Sequence, residues 1–140
     1  MNNNDGPKKV LFVCTHNKFR SQMAEAFLRA LGGERFEVFS AGTEPQGPGP
    51  EAVKTMKEVG IDISGHTANH INEFLGKNLD YVITVCDDAN EKCPAFPGKC
   101  RRLHWSFENP SGFTGPLAEI EEKIREVRDA IRERIVRFLR

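Results

Sequence analysis

The chain has 140 residues, 39% hydrophobic and 29% charged, which is enough to build the core of one ordinary globular domain. Its 20 Lys and Arg balance 20 Asp and Glu, so no whole-molecule field recruits nucleic acid, and any anion site must be local. No apolar run approaches the roughly 18 residues of a membrane span, and the polar start carries no signal-peptide core. The expectation is a short disordered lead over residues 1–8, a single domain over residues 9–140, and a cytoplasmic setting with no membrane partner. There the four cysteines stay reduced and read as redox, catalytic or metal-binding groups.

Taken in order, the elements alternate. Residues 10–13 (Val-Leu-Phe-Val) form a strand buried on both faces. A helix over 21–31 follows, with Met23, Ala24, Phe27, Leu28 and Leu31 at helical spacing and Gly32-Gly33 as its stop. Residues 36–40 are a second strand, and 42–50 a Gly/Pro loop whose Pro50 opens a helix running to about Val59. A short helix is expected at 71–75 and a third strand at 80–85, delivering Cys86 at its carboxyl end. Residues 87–100 read as turn-rich, and 102–105 as a short fourth strand. From Leu117 the positions Ile120, Ile124, Val127, Ile131, Ile135, Phe138 and Leu139 keep a helical period, with paired charges such as Glu121 and Arg125 between them. The alternation predicts an α/β fold of three layers, a parallel sheet flanked by helices, with ligands beyond the carboxyl ends of the strands.

Cys14 and Arg20 frame the five residues Thr15, His16, Asn17, Lys18 and Phe19, and Ser21 follows. A loop of that size between a strand and a helix can turn its N–H groups onto one tetrahedral anion, while Arg20 grips two anion oxygens. The same field stabilises a thiolate at Cys14, and a thiolate aimed at the central atom of an oxyanion is a nucleophile. The bland alternative is a buried structural Cys beside a surface Arg.

At these residues the sequence resembles a known family. Cys14 to Arg20, followed by Ser21-Gln22-Met23-Ala24-Glu25, is similar to the phosphate-binding loop of low-molecular-weight protein tyrosine phosphatases and of the arsenate reductases that share their fold. Ser40-Ala41-Gly42 and Val59-Gly60-Ile61-Asp62-Ile63-Ser64 favour the reductase branch. So does Val85-Cys86-Asp87-Asp88-Ala89-Asn90-Glu91-Lys92-Cys93-Pro94, which resembles the redox segment of thioredoxin-coupled members. The resemblance implies a four-stranded parallel sheet, an arsenate- or phosphate-like substrate, thioredoxin as partner, and loop bracing by Asn17 and Ser21. It also implies a relay in which Cys14 attacks arsenate, Cys86 attacks the Cys14 adduct, and Cys93 takes over Cys86 by disulfide exchange. The electron count agrees, since two thiols closing a disulfide supply the two electrons that As(V) needs to become As(III).

The departures from the family pattern are informative. Where members place an acidic residue before a Pro in the loop after the last strand, this chain has Asn109 before Pro110, and Asn donates no useful proton. Glu108, adjacent, is the candidate to inherit that work. Where potassium-binding members have Asp, this chain has Asn69, which counts against a firmly held potassium although Asn17, Glu25 and Ser40 remain. No organic cofactor is implied. Cys86, Cys93, Cys100 and His104 lack the close Cys pairs of structural zinc, so no metal site is expected. Two alternatives stay open: a phosphatase acting on phosphate monoesters, and a non-catalytic oxyanion-binding module.

Overall fold

A computed structural model describes residues 6–96, 98–110 and 113–140. Its elements run β1 (Lys8–Cys14), α1 (Arg20–Gly32), β2 (Phe36–Gly42), α2 (Pro50–Lys57), β3 (Tyr81–Thr84), α3 (Asp87–Lys92), β4 (Arg101–His104) and α4 (Leu117–Phe138). Single 3₁₀ turns occupy Gly33–Arg35 and Ile71–Phe74, the latter where a short helix is expected. The four strands form one parallel sheet in the order β2-β1-β3-β4. β1 begins at Lys8, which pairs with Phe36, so the ordered fold starts one residue inside the expected lead.

The central position of β1 follows from its composition. Val10, Leu11, Phe12 and Val13 are fully buried, as a strand covered on both faces requires. α1 and α2 pack on α4, which turns Ile124, Val127, Ile131 and Ile135 inward. Near its end, Phe138 joins an aromatic group with Trp105 at 5.5 Å and Tyr81 at 5.2 Å between ring centroids. Truncating Trp105, the buried member, costs about 3–5 kcal/mol.

The segment after β3 departs from the turn-rich expectation. Residues Asp87–Lys92 wind into α3, which lies against β1 and β3 and buries only Ala89. Its apolar content is too small to show a period. The winding comes instead from its ends, with Cys86 Sγ accepting the Ala89 N–H at 3.4 Å and Arg102 taking carbonyls at the other end. α2 stops at Lys57, two residues short of the expected end, and β4 starts one residue early, at Arg101.

Candidate active site

The carboxyl ends of β1, β2 and β3 converge on the loop 15–19. Its main-chain carbonyls are all turned outward. Those of Cys14, Thr15, His16 and Lys18 accept the N–H groups of Thr43, Glu44, Gln46 and Gly49 at 3.3, 2.8, 2.8 and 3.0 Å. The fifth, of Asn17, accepts Nε2 of the buried Gln22 at 3.1 Å. A trans peptide holds its N–H opposite its C=O. Five outward carbonyls therefore put the N–H groups of Thr15, His16, Asn17, Lys18 and Phe19 on the inner side, as an anion nest requires. The Asn17 N–H already meets Cys14 Sγ at 3.1 Å.

The side-chain network beneath the loop has a determined polarity. The Glu25 carboxylate only accepts, so Ser40 Oγ donates to it at 2.6 Å. Asn17 Nδ2 then donates to Ser40 Oγ at 3.0 Å and to Ser21 Oγ at 2.8 Å, while Asn17 Oδ1 takes the Asn69 N–H at 3.1 Å. Ser21 Oγ, already accepting from Asn17, directs its own proton to Cys14 Sγ at 2.8 Å. Cys14 is 3% exposed, and its buried sulfur thus receives a hydroxyl and an amide donor. Asn17 sits at φ 51°, a left-handed conformation that Asn tolerates well. Gly42 is required beside it, because a Cβ there would stand 2.5 Å from Thr15 O and 2.9 Å from Asn17 N.

Cys14, His16, Lys18, Phe19, Arg20 and Asn109 line a cup of about 10 Å³, the room of a single water. Arg20 Nη1 spends a hydrogen bond on Phe107 O at 3.1 Å, which folds the loop after β4 over the cup. Arg20 and Asn109 also line an adjoining cleft of about 280 Å³, together with Cys86, Asp87, Asp88, Ser106 and Phe107. The position expected to supply an acid is thus placed at the site with the wrong chemistry. Glu108, the proposed substitute, is exposed and lines neither space.

Parallel pairing of Val13 with Thr84, continued by Val85 N–H to Val13 O at 2.8 Å, brings Cys86 beside the loop. Cys86 is 4% exposed, and its sulfur lies 3.4 Å from Thr15 Oγ1. Thr15 donates to Asp88 Oδ2 at 2.8 Å, and this bond, ahead of Lys92, holds the Asp88 carboxyl below the ordinary range. With the Thr15 proton so engaged, the Cys86 thiol is the donor in its own contact. Cys93, at the far end of α3, is 8% exposed and contacts Pro94 O at 3.6 Å. Burial pushes its thiol up, and the nearby Arg102 partly opposes this. Burial likewise raises Cys100, just before β4.

Asn17, Glu25, Ser40 and Asn69, where the resemblance raised potassium, give their polar groups to protein partners instead of a cation. The Glu25 carboxylate is matched by Arg29 and Ser40, and Asn17 Oδ1 by the Asn69 N–H. Asn69 Nδ2 caps Ser40 O at 3.3 Å. Among the described residues no three His, Cys, Asp or Glu side chains form a metal-binding group, and no helix is long and apolar enough to cross a membrane.

The sequence profile described as low molecular weight phosphotyrosine protein phosphatase matches residues 9–140. The chain belongs to that family. Among curated members it is 45% identical, over 94% of both chains, to an arsenate reductase of Shouchella clausii. Among solved family structures it resembles an arsenate reductase in the phosphate binding state, with TM-score 0.75 and 36% identity over 94% of this chain and 96% of that one. A thioredoxin-dependent arsenate reductase of Corynebacterium glutamicum superposes with TM-score 0.66 at 31% identity, covering 94% of this chain and 63% of that one.

Motif reading quoted Gln22, Asp87 and Asp88 and weighed His104 only as a metal ligand, and it gave none of them, nor Arg102, a role at the site, where all five carry contacts. The spacing of Arg102 and His104, two apart on a strand and so on one face, is the only local signal among them.

Proposed function

We propose that this enzyme reduces arsenate to arsenite through Cys14, Cys86 and Cys93. The observation that carries the reading is the 3.4 Å approach of Cys86 Sγ to Thr15, which sets a second thiol at the rim of the cup holding the first. The named reductases among its relatives point the same way. Arsenate enters as Arg20 exchanges Phe107 O for anion oxygens, and the N–H groups of Thr15 to Phe19, with the Arg20 side chain and the start of α1, bind it. His16 and Lys18 add side chains to the wall of the cup. Cys14 displaces one arsenate oxygen, which leaves as water after taking up protons. Cys86 then attacks Cys14 Sγ; the S–S bond forms, the S–As bond breaks, and its electron pair stays on arsenic, which departs as As(III).

Cys93 closes the cycle by attacking Cys86 and freeing Cys14. From Cys86 to Cys93 is seven helical steps, about 10 Å along the axis, against an upper limit of roughly 7 Å between disulfide-bonded Cα atoms. α3 must therefore unwind for this exchange. The resulting disulfide lies on a surface segment open to an external dithiol, and we assign that role to thioredoxin, by analogy with the thioredoxin-dependent relative. Such a cycle belongs in the cytoplasm, where thiols are kept reduced.

The test is arsenate-dependent oxidation of NADPH through thioredoxin reductase and thioredoxin, run beside hydrolysis of an aryl phosphate. Arsenate should drive oxidation, Cys14→Ser should abolish it, and Cys93→Ser should stop after one turnover with a Cys14–Cys86 bond trapped. Aryl phosphate hydrolysis with no arsenate-dependent oxidation would replace this reading by the phosphatase one.

A further inference from the structure

The proposed relay needs α3 to open, and the structure differs sharply at its two ends. β4 is an edge strand, and Arg102 and His104 share one of its faces. Each reaches a different end of α3. Arg102 Nη1 donates to Cys93 O at 3.2 Å and Nη2 to Asn90 O at 2.6 Å, satisfying carbonyls that a helix end leaves unpaired. At the other end, His104 Nε2 meets Asp87 Oδ1 at 2.9 Å while its Nδ1 is held by Thr84 Oγ1 at 2.8 Å.

The amino end carries further ties. Ser106 donates to Asp87 at 3.4 Å, and Thr15 holds Asp88 at 2.8 Å. Besides Arg102, the carboxyl half has a 3.2 Å contact from Thr84 Oγ1 to Asn90 Oδ1, and Lys92, whose links are an intrahelical 3.2 Å pair with Asp88 and a 3.8 Å pair with the exposed Glu44. The Arg102 fork also depends on winding. Asn90 O and Cys93 O fit one guanidinium only while the three steps from Asn90 to Cys93 rise about 1.5 Å each; extended, they span about 10 Å. Bringing Cys93 back onto Cys86 and keeping the fork are mutually exclusive.

We infer that Arg102 is the latch that keeps α3 wound and Cys93 withheld, and that Asp87 with His104 is the fixed end from which α3 opens. The inference rests on the relay reading above. In the gated step the Cys93 thiol loses its proton and its sulfur attacks Cys86 Sγ. The Cys14–Cys86 bond breaks, Cys86–Cys93 forms, and Cys14 leaves as a thiolate, with no net oxidation. Arg102 and His104 touch none of the reacting sulfurs; both are positioning residues.

The latch is tested on the full reduced chain, without arsenate, by following maleimide alkylation of each cysteine by peptide mass. Loss of the Arg102 charge alone would slow Cys93, because the cation favours the thiolate. Faster alkylation in Arg102→Ala therefore reports opening. The expected rise at Cys93 is about tenfold or more, the factor that corresponds to ~1.4 kcal/mol, with Cys14 unchanged. Arg102→Lys, a point donor in place of a fork, should fall between. In a single turnover with arsenate, Arg102→Ala should pass faster from Cys14–Cys86 to Cys86–Cys93. His104→Ala should instead slow formation of the first disulfide.

An unchanged Cys93 rate in Arg102→Ala overturns the latch. So does a uniform rise at all four cysteines with a fallen Tm, which would make Arg102 merely structural. An opening by His104→Ala equal to that of Arg102→Ala overturns the fixed end. Because alkylation needs no substrate, a tenfold rise in a protein that leaves arsenate untouched would sink the relay reading and keep the latch.

Discussion

Two thiol settings meet at the rim of the sheet, and they are built in opposite ways. The loop of Cys14 is held by main-chain bonds to residues 43–49 and by a buried amide–hydroxyl chain from Glu25 to the sulfur, with each participating donor and acceptor matched. The segment carrying Cys86 and Cys93 is a six-residue helix that buries one residue of its own and is tied at its ends by partly exposed side chains. Stabilising a charge at one atom needs preorganised donors that do not move. Passing a disulfide between cysteines about 10 Å apart along the helix axis needs a segment that does. One stable fold can serve both only by separating them, and the strand ends do so within a few residues.

The contrast breaks most severely at Asn17. Its amide serves Ser21, Ser40 and Asn69, so Asn17→Ala leaves several buried groups without partners and places Ala at a positive φ. The expected loss is about 3–5 kcal/mol of stability, a fall in Tm on the order of 10 °C, along with arsenate turnover. Asp87→Ala, at the α3 end, should leave Tm nearly unchanged. Calorimetry of the two variants checks the difference. Equal losses would mean that α3 is as integral to the fold as the loop.

Gly42→Ala is the next largest. The added methyl would collide with backbone, at 2.5 Å from Thr15 O, where no side chain can swing away. The wall of the nest must shift, at a cost of roughly 1–3 kcal/mol, and the substrate KM should rise more than Tm falls. If arsenate KM is unchanged, the nest tolerates displacement and the rigid half of the comparison is wrong.

These two regions were also unequally legible. The nest occupies eight consecutive residues, and Cys14, Arg20 and Ser21 at that spacing between strand and helix announced it. What turns its carbonyls outward, the loop 43–49 and Gln22, lies far along the chain or on the helix interior, where no local pattern marks it. α3 was invisible for a physical reason. A helix of six residues stabilised by long-range caps has no apolar period to detect, and Pro94 with Gly98 made the stretch look like turns. At Glu108 and Asn109 the residue types were legible, but which of two neighbours faces the cup depends on the path of the loop. Arg29, four residues after Glu25, stood at ion-pair spacing, yet its meaning for a cation site needed the side-chain geometry.

A smaller effect sharpens the mobile side through pH. Burial raises the Cys93 thiol above the ordinary range, so less thiolate is present at neutral pH than on a free cysteine. In the reduced protein, Cys93 alkylation should climb about tenfold per pH unit and keep climbing past roughly 8.5, where a free thiol levels off. Opening α3 removes the burial, so in Arg102→Ala the curve should move toward lower pH. A plateau near 8.5 in the unmodified chain would show that Cys93 is already free of its helix.

The smallest expected effect is the most pointed test of the cup. A general acid at the position before Pro110 typically contributes about 10²–10⁴-fold to rate. Asn109 occupies that position and lines both the cup and the cleft, while Glu108 faces solvent. Glu108→Gln should therefore change arsenate reduction by less than about twofold, far below what loss of an acid costs. Asn109→Asp supplies a carboxyl where the leaving oxygen emerges, and it should raise aryl phosphatase activity by at least about tenfold. Arsenate reduction should gain less, because an aryloxide needs its proton more than an arsenate oxygen does. Both variants must be measured with saturating reductant, so that chemistry rather than disulfide recycling sets the rate. A hundredfold loss in Glu108→Gln would mean that the loop turns over when the anion binds and presents its other face. The wall above Cys14 would then belong with the moving half of the molecule, and only the nest beneath it with the fixed half.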